Sequence, residues 1–211
     1  MKLIKPYYEI EQNIDGEQIL RHLEKAARTC YKSEHKIGDF ESTKKFIAGL
    51  IKRGHESTIE HYSISVRFIV DRGVTHELVR HRLVAYSQES TRYCSYDKEQ
   101  FDGQVTFIIP PWVNIPAGSY GIAIPVCNII TNNNDMVWYD TMLSCEYNYL
   151  RLLKDNWSPQ EARSVLPNSL KTEINIAANV REWRHIFKMR TPASAHPQMR
   201  EIMIPLLAEF K

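Results

Sequence analysis

The sequence predicts an α+β fold, and three observations predict it. Two stretches alternate with period two. Tyr62, Ile64, Val66, Phe68 and Val70 alternate with His61, Ser63, Ser65, Arg67 and Ile69, and Leu170, Thr172, Ile174, Ile176 and Ala178 alternate with Lys171, Glu173 and Asn175. Such alternation places one set of side chains on one face of a strand. Apolar stripes at helical spacing, with capping residues at their starts, lie around these strands. The two kinds of element do not alternate strictly, which argues against a parallel α/β class.

The elements follow in order. Asp15 with Gln18 marks a helix start, and Ile19, Leu20, Leu23, Ala27 and Cys30 form its stripe. A second helix runs from Ser42 to Arg53 and is stopped by Gly54. The strand from Tyr62 to Val70 breaks at Gly73, and Val74 to Val79 reads as a short helix feeding a loop that opens at Arg80. A long helix spans about Asp135 to Asp155. Ser158-Pro159-Gln160-Glu161 is a capping box with Pro at the first helical position, so Arg163 sits on a short helix. After the second strand, Asn179 with Glu182 caps a helix whose stripe is Val180, Trp183 and Phe187. Pro192 ends that helix soon after Arg190. Asn179 therefore lies where a strand feeds a helix N-terminus, a place that favours anions. Arg190 lies about 15 Å further along the same axis.

Composition narrows the function. A chain of 211 residues is large enough for a sizeable core and reads as one domain, 1–211. The net charge of +2 is too small to argue for general nucleic-acid binding. Cys30, Cys94, Cys127 and Cys145 show neither a Cys-x-x-Cys pair nor zinc spacing, which predicts reduced thiols in a cytoplasmic protein. No apolar run approaches membrane-spanning length, and the polar N-terminus lacks a signal-peptide core. Neither a Gly-x-Gly-x-x-Gly fingerprint nor a P-loop is present.

The richest stretch is Arg80 to Tyr93. It holds three arginines, a histidine, two serines, a glutamine and a glutamate, with no lysine. Arginine forks match phosphate in bidentate fashion, and the neutral groups suit a ribose or pyrimidine edge. The stretch reads either as the wall of a nucleotide or cofactor pocket, or as a solvated charged loop. Upstream, His55, Glu56, Glu60 and His61 invite a metal reading. Two His six residues apart do not share a helix face, however, and the His-Glu-x-x-His spacing fails, so no metal is expected.

Arg80-His81-Arg82, seven residues, Ser90, then Arg92-Tyr93 resembles the signature of the flavin-dependent thymidylate synthases. His55-Glu56-Ser57-Thr58-Ile59-Glu60-His61 resembles their His-Glu-x-x-x-Glu-His segment, and Ala27-Arg28-Thr29-Cys30 a third landmark. Glu161-Ala162-Arg163 with Leu166-Pro167, then Asn179-Val180-Arg181 and Arg190, follow in family order. The resemblance runs from about Leu3 to Met203 and is weakest from Gln100 to Asp135.

The resemblance implies a central, largely antiparallel sheet with flanking helices. It implies reductive methylation of dUMP to dTMP, with methylenetetrahydrofolate as one-carbon donor and NADPH-reduced FAD as hydride source. FAD contacts would come from His55, Ser57, Arg80, His81, Arg82, Gln88, Asn179, Val180, Arg181 and His185. dUMP would meet Glu77, Leu78, Val79, Arg80, Gln88, Glu89, Ser90, Thr91, Arg92 and Arg163, with Arg190 against the uracil ring. A cation there would stabilise enolate-like charge or ionised N3, which makes Arg190 the catalytic candidate. The family needs no cysteine nucleophile and forms homotetramers with active sites shared between subunits. Glu77 stands where many members have Gln, Gln88 where many have Glu, Ala85 for a frequent Ser and His185 for a frequent Asn. Two rival classes remain open on the residues alone: a metal-dependent phosphohydrolase built on His55, Glu56, Glu60 and His61, and an arginine-rich RNA-binding module.

Overall fold

The computed structural model describes residues 1–121 and 130–211. In chain order the elements are β1 (Lys2–Ile4), β2 (Tyr7–Ile10), α1 (Gly16–Thr29), α2 (Phe40–Lys52), β3 (Ser63–Asp71), α3 (Arg72–Leu78) and β4 (Ala85–Gln88). There follow β5 (Thr106–Ile108), β6 (Gly118–Ser119), α4 (Asn133–Lys154), α5 (Pro159–Ala162), β7 (Lys171–Asn179), α6 (Val180–Arg190) and α7 (Pro197–Glu209). Short 3-10 turns at Glu56–His61 and Arg163–Val165 lie beside the site.

The two period-two stretches pair with each other. β3 and β7 run antiparallel from Ser63 opposite Asn179 to Asp71 opposite Lys171. β2 and β4 flank them in the order β2-β3-β7-β4, every pair antiparallel. One face of this sheet carries Ile64, Val66, Phe68, Val70, Ile174, Ile176 and Ala178, all buried. Leu23 of α1, Trp183 and Phe187 of α6, and Met203 and Leu206 of α7 complete that core. Trp183 also donates from Nε1 to the Ile64 carbonyl at 3.0 Å, which locks α6 onto β3. Ile69 sits in the polar register yet is buried.

A second core gathers around a small sheet of order β5-β1-β6. Leu3 and Phe107 pack there with Tyr139, Met142 and Tyr149 of α4. The pairing of β1 with β5 is parallel, and a bridge between Phe107 and Leu170 joins this sheet to the first. The predicted α+β class with an antiparallel central sheet is the architecture observed.

Caps explain the boundaries. Asp15 accepts from the Gln18 amide at 3.1 Å, as the sequence predicts. α2 starts two residues before the predicted Ser42, because Asp39 accepts from the Ser42 amide at 2.8 Å. Gly54, at φ +76°, lies just past its C-cap Arg53, where a left-handed residue ends the helix. The break after β3 differs from the prediction: Asp71, not Gly73, turns the chain, accepting from the Val74 amide at 2.7 Å. Gly73 falls inside the first turn of α3, where a Cβ would stand 3.1 Å from Asp71 Oδ1. Cys30 caps α1 and is exposed, and so drops out of the predicted stripe.

Candidate active site

The site grows from α3, the loop after it, and α6. The Tyr86 hydroxyl on β4 lies 2.6 Å from the carbonyl oxygens of both Leu78 and His81, which share its one proton, and so it folds the Arg80 loop against the end of α3. α6 starts at Asn179, whose side chain accepts from the Glu182 amide at 2.9 Å. Its far end brings Arg190 against α3. Arg190 Nη1 donates to Glu77 Oε2 at 2.6 Å, Nη2 to the Glu77 carbonyl at 2.7 Å, and Nε to His81 Nε2 at 3.0 Å.

His81 is buried, with Nδ1 3.6 Å from a Glu182 carboxylate oxygen. Because Nε2 accepts from Arg190, its proton sits on Nδ1, facing Glu182. Burial, the Arg190 charge and His185 push its pKa down to about 4. The Tyr86 hydroxyl beside it is pushed up to about 12 by burial and Glu182.

His81, Glu182 and His185 also bring three possible metal-ligand atoms within 4.8 Å of one another. This is a different set from the His55–His61 segment that the sequence brings to mind. A metal on His81 Nδ1 would force the proton onto Nε2, where it would face the Arg190 N–H. Two donors would then oppose each other, so the hydrogen bond to Arg190 works against a metal at this place.

Two cation-lined cavities bear on the predicted residues. The first, about 470 Å³, is lined by Glu56, Leu83, Arg181, Glu182, Arg184, His185 and Lys188. Arg181 pairs with Glu60 at 2.6 Å and with Glu56 at 3.4 Å, and Arg184 with Glu56 at 2.7 Å. The Arg184 hydrogen bond holds the Glu56 carboxyl below its ordinary range. Arg181 and His185 are residues the sequence singles out. Arg184 and Lys188 are not, although the 181, 184, 188 spacing on one helix face was there to be seen.

The second cavity, also about 470 Å³, is lined by Thr91, Arg163, Ser164, Gln160, Arg72 and His76 among others. Arg163 donates to Thr91 Oγ1 at 3.1 Å, which joins two predicted residues from distant parts of the chain. Arg72 and His76, one helical turn apart on α3, escaped the sequence reading. Arg72 Nη1 is buried and has no partner, and among the described residues Arg72 makes no ion pair.

Other predicted residues fall differently. His55 and Ser57 are exposed at the 3-10 turn of Glu56–His61. Arg80, Arg82 and Arg92 are exposed, with Arg92 over the Tyr93 ring at 5.4 Å. Ser90 accepts from the Arg92 amide at 3.3 Å. Val79 is exposed and Val180 packs on the main core. Three predicted contacts are committed inside the chain. Leu78 is buried and gives its carbonyl to Tyr86. Gln88 turns its amide nitrogen to Thr75 at 3.0 Å and Thr172 at 3.3 Å. Glu89 accepts from Tyr96 at 2.8 Å and from Lys171 at 3.0 Å. Burial and this carboxylate push the Tyr96 hydroxyl well above its ordinary pKa. Cys94 and Cys145 are half-buried free thiols, and burial raises the Cys145 pKa, away from nucleophilic use. Cys127 lies outside the described residues.

Residues 14–211 match the family model described as thymidylate synthase complementing protein. The chain belongs to that family. Its relatives include flavin-dependent thymidylate synthases of Mycobacterium sp. (strain JLS) and Clostridium tetani. The first is 31% identical over 198 residues, covering 89% of this chain and 74% of the relative. The second is 32% identical over 198 residues, covering 88% and 75%. Among solved structures, the UMP/dUMP methylase PolB from Streptomyces cacaoi, bound with 5-Br dUMP, shares the fold at a TM-score of 0.75 and 19% identity, covering 100% of this chain and 92% of that one. Thymidylate synthase X from Helicobacter pylori, with FAD and dUMP, does so at 0.70 and 22%, covering 96% and 92%.

The family's flavin finds a suitable donor set here. The first cavity holds Arg181, Arg184 and Lys188, which would meet a diphosphate where it replaces Glu56 and Glu60 as partners of the two arginines, and an imidazole and Leu83 that would meet a ring. Its volume lies in the lower half of the ~300–1,000 Å³ range of ligand pockets, so a dinucleotide would extend beyond it.

Proposed function

We propose that this family member makes dTMP from dUMP by reductive methylation, taking the one-carbon unit from 5,10-methylenetetrahydrofolate and reducing equivalents from NADPH through FAD. The observation that carries the reading is the cavity in which Arg163 and Thr91 meet beside Arg72, whose Nη1 has no partner among the described residues. A buried guanidinium nitrogen left without an acceptor is costly, and the phosphate of a nucleotide supplies one. Ser90 and Arg92 adjoin Thr91 in sequence and complete the phosphate and ribose contacts.

FAD supplies the hydride chemistry; the protein binds, orients and polarises. His55, Ser57, Arg80, His81, Arg82, Asn179, Arg181 and His185 are the residues we assign to it. Arg190 faces the uracil and stabilises the negative charge that develops there. His81, neutral and hydrogen-bonded to Arg190, leaves that charge on the guanidinium. The chain acts as one domain, and the cavities sit in a homotetramer whose active sites draw on more than one subunit. A cytoplasmic location goes with this reading, since its substrates are charged and do not cross membranes. Among the described residues, no helix is long and apolar enough to span a membrane.

The test is spectroscopic and kinetic. Purified protein carries oxidised-flavin absorbance, and Arg190→Ala loses dTMP formation by roughly a hundred- to a thousandfold, the usual cost of one such stabiliser. Flavin reduction by NADPH suffers far less, because no charge develops on dUMP in that half-reaction. A colourless protein with stoichiometric metal, or equal loss in both steps, would overturn the reading.

A further inference from the structure

Glu77 stands where the family resemblance gives Gln in many members, and its carboxylate is already engaged. One of its oxygens takes Arg190 Nη1 at 2.6 Å, and its own backbone carbonyl takes Nη2 at 2.7 Å. His81 Nε2 takes Nε at 3.0 Å. All three guanidinium nitrogens are thus held, two of them by a single residue. A guanidinium has five N–H groups, so two remain for a ligand, one on each terminal nitrogen. Arg190 is mostly buried, its side chain 17% exposed, while Glu77 is 36% exposed.

Glu77 is anchored in turn. It lies on α3, whose start is fixed by Asp71 and whose end is fixed by the Tyr86 hydroxyl on the Leu78 carbonyl. Arg190 ends α6, where a long side chain would otherwise sample many rotamers.

We infer that Glu77 is a positioning residue for Arg190: it presents the two remaining N–H groups to the pyrimidine and does not itself bind the substrate. This rests on the proposed role of Arg190 at the uracil. The guanidinium needs an acceptor oxygen at the Glu77 side chain, and an amide oxygen can still accept there, in a weaker hydrogen bond without the ion-pair charge.

The test uses FAD-loaded enzyme and three variants beside Arg190→Ala. Glu77→Gln keeps kcat within about threefold, because the acceptor survives. Glu77→Ala lowers kcat about tenfold or more, with KM for dUMP moved less than about threefold, the pattern of an interaction made in the transition state. Flavin content and the rate of flavin reduction by NADPH stay at the wild-type level in both. Glu77→Ala in the Arg190→Ala background costs nothing further, because the two act as one unit. Glu77→Gln as slow as Glu77→Ala, a raised KM with normal kcat, or additive losses in the double variant would overturn the inference. Normal turnover in Arg190→Ala would instead overturn the role of Arg190 on which it rests.

Discussion

Arg190 donates from Nε to Nε2 of His81 across 3.0 Å, and that bond selects one form of the imidazole. His81 must be neutral, with its proton on Nδ1 toward Glu182. A protonated ring would set two donors face to face beside a permanent cation.

That relation has a pH consequence. The His81 pKa falls from 6.5 to about 4 on folding. Between those values the unfolded chain takes up a proton that the folded protein refuses. The stability from this group is therefore complete above about pH 6.5 and is withdrawn as the pH falls toward 4. His81→Gln keeps an acceptor for Arg190 but does not titrate. Urea midpoints measured from pH 4 to 7 should decline less steeply in this variant than in the wild type. Parallel declines would contradict the assignment.

Arg72 makes a prediction with opposite signs for folding and binding. Its buried Nη1 has no partner among the described residues. Arg72→Met should leave the unfolding midpoint unchanged or raise it, because an uncompensated polar group is removed. The same change should weaken dUMP binding by roughly 2 kcal/mol, about thirtyfold, the scale of a charge-assisted hydrogen bond. Calorimetry with dUMP and a denaturation curve measure the two. A large loss of stability with normal dUMP affinity would place Arg72 in the scaffold alone.

Arg92 separates charge from shape. Arg92→Lys retains the cation and loses the bidentate fork. dUMP affinity should fall while flavin content is retained. Loss of flavin with unchanged dUMP affinity would mean that the two ligands have been assigned to the wrong residues.

Trp183 is where α6 is nailed to the sheet. It is 1% exposed, stacks on Phe187 at 5.6 Å and satisfies the Ile64 carbonyl. Trp183→Ala should cost about 3–5 kcal/mol, the range for deleting a buried aromatic. Urea denaturation reads this directly, and a cost below about 1 kcal/mol would be inconsistent with such burial.

The oligomer is testable without substitution. Sedimentation of the active enzyme should give a species four times the mass of the chain. A fully active monomer would refute sharing of sites between subunits.

The scaffold was legible because its signals are local. The period-two pattern from Tyr62 to Val70 and from Leu170 to Ala178 appears as β3 and β7, since strand faces depend on spacing alone. Asp15, Asn179 and the box at Ser158–Glu161 cap helices because a side chain and an amide three residues away meet by backbone geometry. The strands β1, β2, β4, β5 and β6 were not legible. They are two to four residues long, too short for a period, and they exist only because a neighbour completes their hydrogen bonds. α7 was missed as well. It carries Pro205 in its interior, a residue that normally argues against a helix.

The site divides the same way. The amino-acid sequence by itself determined the family, the ordered landmarks around Arg80–Tyr93 and the helix that carries Asn179 and Arg190, because these are matters of residue type and short-range spacing. Tertiary structure decided which polar groups remain for a ligand. It tied Gln88 to Thr75 and Thr172, spent Glu89 on Tyr96 and Lys171, and left the Nη1 of Arg72 without a partner among the described residues. It also joined Arg190 to Glu77, 113 positions away. Ion pairs and buried hydrogen bonds form between whichever groups packing brings within about 3 Å, and that choice follows the path of the whole chain.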